Sequence, residues 1–79
     1  MKNKSRRERF DEAKDKAIQA KEEIEFLRDE LQEWLDNMPE NLQESEKANQ
    51  LQEAIDYLEE CISNLEEVES IEVEFPGMY

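Results

Sequence analysis

The side chains of this sequence that could do chemistry are almost all carboxylates. The 79-residue chain has 23 Asp and Glu, 10 Lys and Arg, one cysteine (Cys61) and no histidine. Paired carboxylates can act as general acid and base, or bind Ca²⁺ and Mg²⁺, when a fold encloses them. Here they follow one another along helical sequence, without an Asp-rich loop around a central Gly, and the chain has no histidine to act as a base for Cys61. We therefore expect a protein that is not an enzyme, with no catalytic residue, no cofactor and no metal site.

The charge of the chain favours a protein partner that is basic. The formal net charge is −13, which disfavours direct binding to nucleic acid or to an anionic membrane. It favours the basic surfaces with which other proteins hold nucleic acid. The charge is also uneven, since residues 1–21 hold eight basic and four acidic side chains, and residues 22–79 hold two basic and nineteen acidic ones.

A heptad pattern predicts that a first helix positions these charges. Its apolar residues are spaced alternately by three and four, which is the a/d repeat of a coiled coil. Ser5 followed by Glu8 is a capping-box pattern, and Pro39 stops a helix, so we expect helix 1 over about residues 6–37 and a turn over 38–44. The a row is Phe10, Ala17, Ile24, Leu31 and Met38, and the d row is Ala13, Ala20, Leu27 and Trp34.

A second pattern of the same kind follows the turn. Helix 2 is predicted over about residues 45–69, with Ser45 as its cap, although Pro39 could also open it. Residues 70–79 then alternate polar and apolar side chains up to Pro76 and Gly77, which predicts an extended tail. The a row of helix 2 is Ala48, Ile55 and Ile62, and the d row is Leu51, Leu58 and Leu65.

A short connection makes neighbouring helices antiparallel. The predicted fold is therefore all-α: an antiparallel two-helix coiled-coil hairpin with an extended C-terminal tail, in a single domain over residues 1–79. Pairing of the apolar layers places Ile24 against Leu58, Leu27 against Ile55, and Trp34 against Ala48. The same register predicts three pairs on the flanks, namely Lys14 with Glu66, Lys21 with Glu59, and Arg28 with Gln52.

Helix 2 carries a third apolar row, which one partner helix does not need. Ala54, Cys61 and Val68 occupy the g positions beside the a/d seam. Cys61 is thus expected on a half-buried flank, where thiols are usually inert. The row could be covered by a second copy of the chain, giving a homodimeric four-helix bundle, or by the tail folding back.

Candidate partner-binding residues lie outside the two seams. The tail could be a recognition hook that inserts Phe75 and Tyr79 into a partner, or it could pack over Phe10 and Ala13 at the open end of the hairpin. Acidic rows could imitate the charge of a nucleic-acid backbone. Ile18 also lies outside the seams, and the predicted partner-binding set is Phe26, Tyr57, Phe75, Met78, Tyr79, Glu67, Glu69, Glu72 and Glu74.

Residues 27–79 resemble small acidic helical proteins of bacteriophage genomes, chiefly through residues 31–43 at the turn and 75–79 at the end. That group has no settled activity, so the resemblance implies no site residues. It implies expression inside an infected bacterium, where small acidic phage proteins often bind and disable host proteins, including nucleic-acid-handling and defence systems. No apolar stretch follows the basic start, so we expect a cytoplasmic location. The predicted function is that of a protein-binding inhibitor, with a self-associating assembly module as the alternative.

Overall fold

Both helices begin at a serine whose side chain caps the first turn. The computed structural model describes residues 4–42 and 44–76. Helix α1 spans Arg6–Asp36. The Glu8 amide donates to Ser5 Oγ over 3.1 Å, and the Ser5 amide donates to a Glu8 carboxylate oxygen over 3.3 Å. This confirms the predicted capping box, which satisfies two amides that the helix itself leaves unbonded.

The turn is tied together by backbone hydrogen bonds. A short 3₁₀ helix spans Glu40–Leu42, and the Leu42 amide donates to the Pro39 carbonyl over 2.8 Å. Helix α2 spans Glu46–Ser70, and the Ala48 amide donates to Ser45 Oγ over 3.3 Å. Of the two predicted starting points, Ser45 is therefore the cap of α2.

The two helices pack side by side as an antiparallel rod about 63 Å long. Helix α2 buries the seam predicted for it: its a and d rows are buried or half-buried, and Ile55 is only 2% exposed. Among the described residues, the buried apolar side chains are Ala48, Leu51, Ile55 and Ile62.

Helix α1 is rotated away from its predicted seam. Its d row is exposed, with Leu27 at 51% and Trp34 at 46% exposure, so about half of each of these side chains faces solvent instead of the predicted seam. The e row is half-buried instead. The long aliphatic stems of lysine and arginine cover apolar surface while their charged ends reach water, whereas alanines in the d row offer little area. The e row consists of Lys14, Lys21, Arg28 and Leu35.

The rotation also changes the charge contacts, and the three predicted flank pairs are wrong. Lys21 Nζ lies 2.6 Å from Glu69 Oε1 instead of pairing with Glu59. Lys14 donates to the Ile71 carbonyl over 2.9 Å, and Arg28 pairs with Asp29 on its own helix. The e-row lysines therefore reach along the rod to the carboxyl end of α2, where unbonded carbonyls and the helix dipole favour cations.

The tail lies on the first turns of α1. Residues 71–76 form neither helix nor strand, Ile71 has extended backbone angles, and the Arg7 guanidinium donates to the Val73 carbonyl over 2.8 Å. The Phe75 ring packs edge-on against Phe10, with ring centroids 5.8 Å apart. Of the two predicted states of the tail, the structure has the packed one, although Ala13 remains exposed beside it.

In the part of the chain that the structure describes, neither helix has a segment both long and apolar enough to cross a membrane.

Candidate binding faces

The rotation of α1 gives the hairpin two unlike faces. On one side, Trp34 of α1 lies under the Lys47 ammonium of α2, which is 5.0 Å from the ring centroid. On the other side, Gln32 and Leu35 of α1 line a shallow cleft with Asn49 and Gln52 of α2. Residues one heptad apart share a side of a helix, so these contacts show which rows belong to which face.

The face that includes Trp34 is called the open face here. The d row of α1 and the g row of α2 form its centre, and the α2 row that includes Tyr57 borders it. In α2 neither of these rows contains a carboxylate, although Asp and Glu make up 23 of the 79 residues of the chain. The open face consists of Ala13, Ala20, Leu27 and Trp34 of α1 and of Ala54, Tyr57, Cys61 and Val68 of α2.

Cys61 is exposed, so the prediction that it lies on a half-buried flank is wrong. The physical reason is the rotation of α1, which leaves the g row of α2 without a neighbouring helix. Ala54 and Val68 of the same row are half-buried. The sequence predicted that this third row of α2 is not covered by α1. It also assigned Leu27 and Trp34 to the seam, so the predicted uncovered surface was narrower than the observed one.

The face that includes the cleft is called the acidic face here. The rows that flank the cleft include six carboxylates of α1 and three of α2, and these side chains are mainly solvent-exposed. Like charges on one face produce a field that favours a cationic partner. The acidic face consists of Asp11, Asp15, Glu22, Glu25, Asp29 and Asp36 of α1 and of Asp56, Glu59 and Glu66 of α2.

Lysines of the basic N-terminal segment form ion pairs with nearby carboxylates. The Lys21 ammonium and Glu69 lie close together at 15% and 31% side-chain exposure, and the carboxylate raises the pKa of Lys21 above its ordinary value. Glu69 Oε1 makes no hydrogen bond of regular geometry, so proximity to the ammonium is what compensates its burial. At the start of the chain Lys4 pairs with Glu12, which lowers the pKa of that carboxyl and raises that of the lysine.

The predicted partner-binding residues are scattered over the molecule. Phe26 is 67% exposed on the outer side of α1, and Tyr57 is 60% exposed at the border of the open face, so the structure does not bring them together. Glu69 forms an ion pair with Lys21, and Phe75 is half-buried against Phe10. Glu67, Glu72 and Glu74 are exposed, Ile18 is half-buried, and Met78 and Tyr79 lie outside the described residues.

Within residues 4–42 and 44–76, the cysteine and carboxylate side chains form no group of three or more arranged to hold a metal ion. The cleft beside Gln32 is lined by amides, Asp36 and aliphatic side chains, among which the carboxylate has no acid–base partner. Comparisons with known protein families, curated proteins and solved structures find no match for this chain.

Proposed function

We propose that this chain is a non-enzymatic protein-binding protein whose acidic face engages a basic surface of another protein. The observation that carries the proposal is the segregation of charge. The carboxylates flanking the cleft lie on one side of a rigid rod, and the rows of α2 on the opposite side carry none. A charge excess needed only for solubility would not have to avoid one side of a helix.

A rod of this kind can occupy a groove that normally holds nucleic acid. Carboxylates on a helix face present negative charge at regular intervals, and a basic groove attracts such a surface over a distance set by ionic strength. The resemblance to acidic phage proteins adds a context. In that context the partner is a host or defence protein that handles nucleic acid, the effect is inhibition, and the location is the bacterial cytoplasm.

A pair of charge-matched variants tests the proposal. One variant neutralises the acidic face, and the other removes four carboxylates elsewhere, so that both have the same net charge. Both retain the buried residues of the seam. The acidic-face variant carries Glu22→Gln, Asp29→Asn, Glu59→Gln and Glu66→Gln, and the control carries Glu33→Gln, Glu40→Gln, Glu44→Gln and Glu53→Gln.

The measurement is quantitative mass spectrometry of proteins retained from a bacterial lysate by the immobilised chain at two salt concentrations. We expect the wild type and the control to retain the same basic protein and to release it at high salt. The acidic-face variant should lose it. Equal retention by both variants would show that position on the rod does not matter, which contradicts the proposal.

A second candidate function is self-association as an assembly module. The specific observation in its favour is the open face, where Leu27 and Trp34 are about half exposed beside a helix row without carboxylates. Contiguous apolar surface of this kind commonly marks an interface. The two functions use opposite sides of the rod and are compatible with each other.

A further inference from the structure

We infer that the open face binds a second copy of the chain, and that a two-fold axis perpendicular to the rods pairs α1 with α1 and α2 with α2, both antiparallel. This inference rests on the proposed self-association and adds its geometry. It does not depend on the acidic face, which such a dimer leaves uncovered.

The first argument is the order of small and large residues along the d row of α1. From one end to the other it reads Ala13, Ala20, Leu27, Trp34. When this row meets its own copy antiparallel, Ala13 lies opposite Trp34 and Ala20 lies opposite Leu27. Each large side chain thus meets a small one, which is how facing layers interdigitate. A two-fold interface must be self-complementary in this way, because each patch meets itself.

The second argument is the charge along the g row of α1, which borders the same contact. In the antiparallel arrangement Lys16 lies opposite Glu30 of the second copy, and the symmetry repeats this pair. Glu23 lies opposite Glu23 of the second copy at the axis. The interface therefore has one repulsive charge contact and two attractive ones. All three side chains are exposed in the single chain and so are available to a partner.

The third argument is that the part of the open face contributed by α2 carries no negative charge. Two chains of net charge −13 repel each other, so a self-interface requires a surface with few carboxylates. The α2 part of the open face contains none: Ala54 of one copy lies opposite Val68 of the other, and Tyr57 lies opposite Asn64. The contacts of Trp34 with Lys47 and of Lys14 with Ile71 place Cys61 level with Glu23. Cys61 therefore also lies near the axis, opposite its own copy.

The position of Cys61 separates this arrangement from the other four-helix bundle. If the axis ran along the rods, α1 would face α2 of the second copy, and the two α2 helices would sit diagonally. A disulfide requires Cα atoms within about 7 Å, which adjacent α2 helices can reach and diagonal ones cannot. Treatment with diamide, which takes up the two hydrogen atoms of the thiols, should thus link two chains only in the proposed arrangement.

The experiment measures mass and cross-linking together. Analytical ultracentrifugation of the reduced full chain should give twice the 9.5 kDa of one chain at high concentration. Diamide should convert this species to a covalent dimer, and Cys61→Ser should abolish the cross-link while leaving the reduced dimer. A monomer at every concentration would overturn both the self-association and its geometry. A dimer without the Cys61 cross-link would overturn the geometry alone.

Charge exchange at Lys16 and Glu30 provides the matched variants. Lys16→Glu should weaken the dimer by about tenfold, since two exposed pairs become repulsive. The double variant Lys16→Glu/Glu30→Lys should recover wild-type dimerisation, and Glu23→Gln should tighten the dimer by roughly a few-fold. These residues lie outside the seam, so circular dichroism should show unchanged helicity. Failure of the double variant to recover would contradict the antiparallel pairing of α1 with itself.

Discussion

Lys21 and Glu69 join the middle of α1 to the last turn of α2, with Lys21 Nζ 2.6 Å from Glu69 Oε1. The two residues are part of the rotated seam, because Lys21 belongs to the e row that α1 turns towards α2. The pair also counters the accumulation of negative charge at the end of α2, where the last turn contains no basic residue.

Replacement of either partner should destabilise the hairpin more than replacement of both. Lys21→Gln leaves the poorly solvated Glu69 carboxylate without its cation, and Glu69→Gln leaves the ammonium without its anion. A double-mutant cycle of urea unfolding measures their coupling, which we expect to be favourable and to weaken with added salt. A coupling energy of zero would show that the contact between Lys21 and Glu69 does not stabilise the fold.

The same pair predicts a loss of stability at high pH. The pKa of Lys21 in the folded chain lies above its ordinary value of 10.5, mainly because the ammonium contacts the Glu69 carboxylate. The stabilising contribution is therefore complete below the unfolded pKa and disappears as pH rises through the folded pKa. The difference in unfolding free energy between wild type and Lys21→Gln should be constant near neutrality and shrink above pH 10.5. A constant difference across that range would contradict the assignment.

The buried seam of α2 predicts which apolar truncations matter. Ile55 is 2% exposed, so Ile55→Ala should lower the unfolding free energy by about 2–5 kcal/mol through lost burial and an unfilled cavity. Phe26→Ala is the matched control, since Phe26 is larger but 67% exposed, and the expected change is within about 0.5 kcal/mol. Chemical denaturation followed by circular dichroism compares the two. Similar losses would place Phe26 in a contact that the hairpin does not provide.

Local signals in the sequence predicted much of this fold. Ser5 and Glu8 specify the start of α1, Ser45 specifies the start of α2, and Pro39 limits the first helix. These are short-range rules, in which a side chain and the backbone amides it caps lie within one turn. The observed boundaries of α1 and α2 lie within one residue of those predicted.

The rotation of α1 could not be predicted by counting apolar residues. Ala13 and Ala20 are counted as apolar but have little surface to bury. Lys14 and Lys21 are counted as polar, but their four-carbon stems can cover apolar surface. The a/d assignment was therefore right for α2, whose rows contain large aliphatic side chains, and only half right for α1. For the same reason Leu27 and Trp34 were not recognised as part of a candidate binding face.

Replacement of either capping serine should destabilise the fold, whereas replacement of a serine inside a helix should not. Ser5→Ala and Ser45→Ala should each cost about 1 kcal/mol, because the helix loses the oxygen that accepts from its first amides. Ser63→Ala, in the interior of α2 on an exposed position, should instead be neutral or stabilising by a few tenths of a kcal/mol. Urea titration of the three variants checks the order. A loss at Ser63 as large as at Ser45 would mean that capping is not the cause.

The contact between Phe75 and Phe10 predicts that one side chain holds the tail in place. The hydrogen bonds from α1 to residues 71–76 are exposed bonds from Arg7 and Lys14 to backbone carbonyls, which compete with water. An aromatic pair contributes about 0.5–1.5 kcal/mol beyond the area it buries. Phe75→Ala should therefore release the tail without unfolding the helices.

Backbone NMR order parameters measure this release directly, because a segment that leaves the helix gains ps–ns motion while helical amides stay rigid. Val73→Ala is the control: it shortens a neighbouring half-buried side chain but retains the carbonyl that Arg7 binds. We expect lowered order parameters over residues 72–75 in Phe75→Ala and near wild-type values in Val73→Ala. Low order parameters already present in the wild type would show that the tail is free, and the recognition-hook interpretation of Phe75 would then replace the packed one.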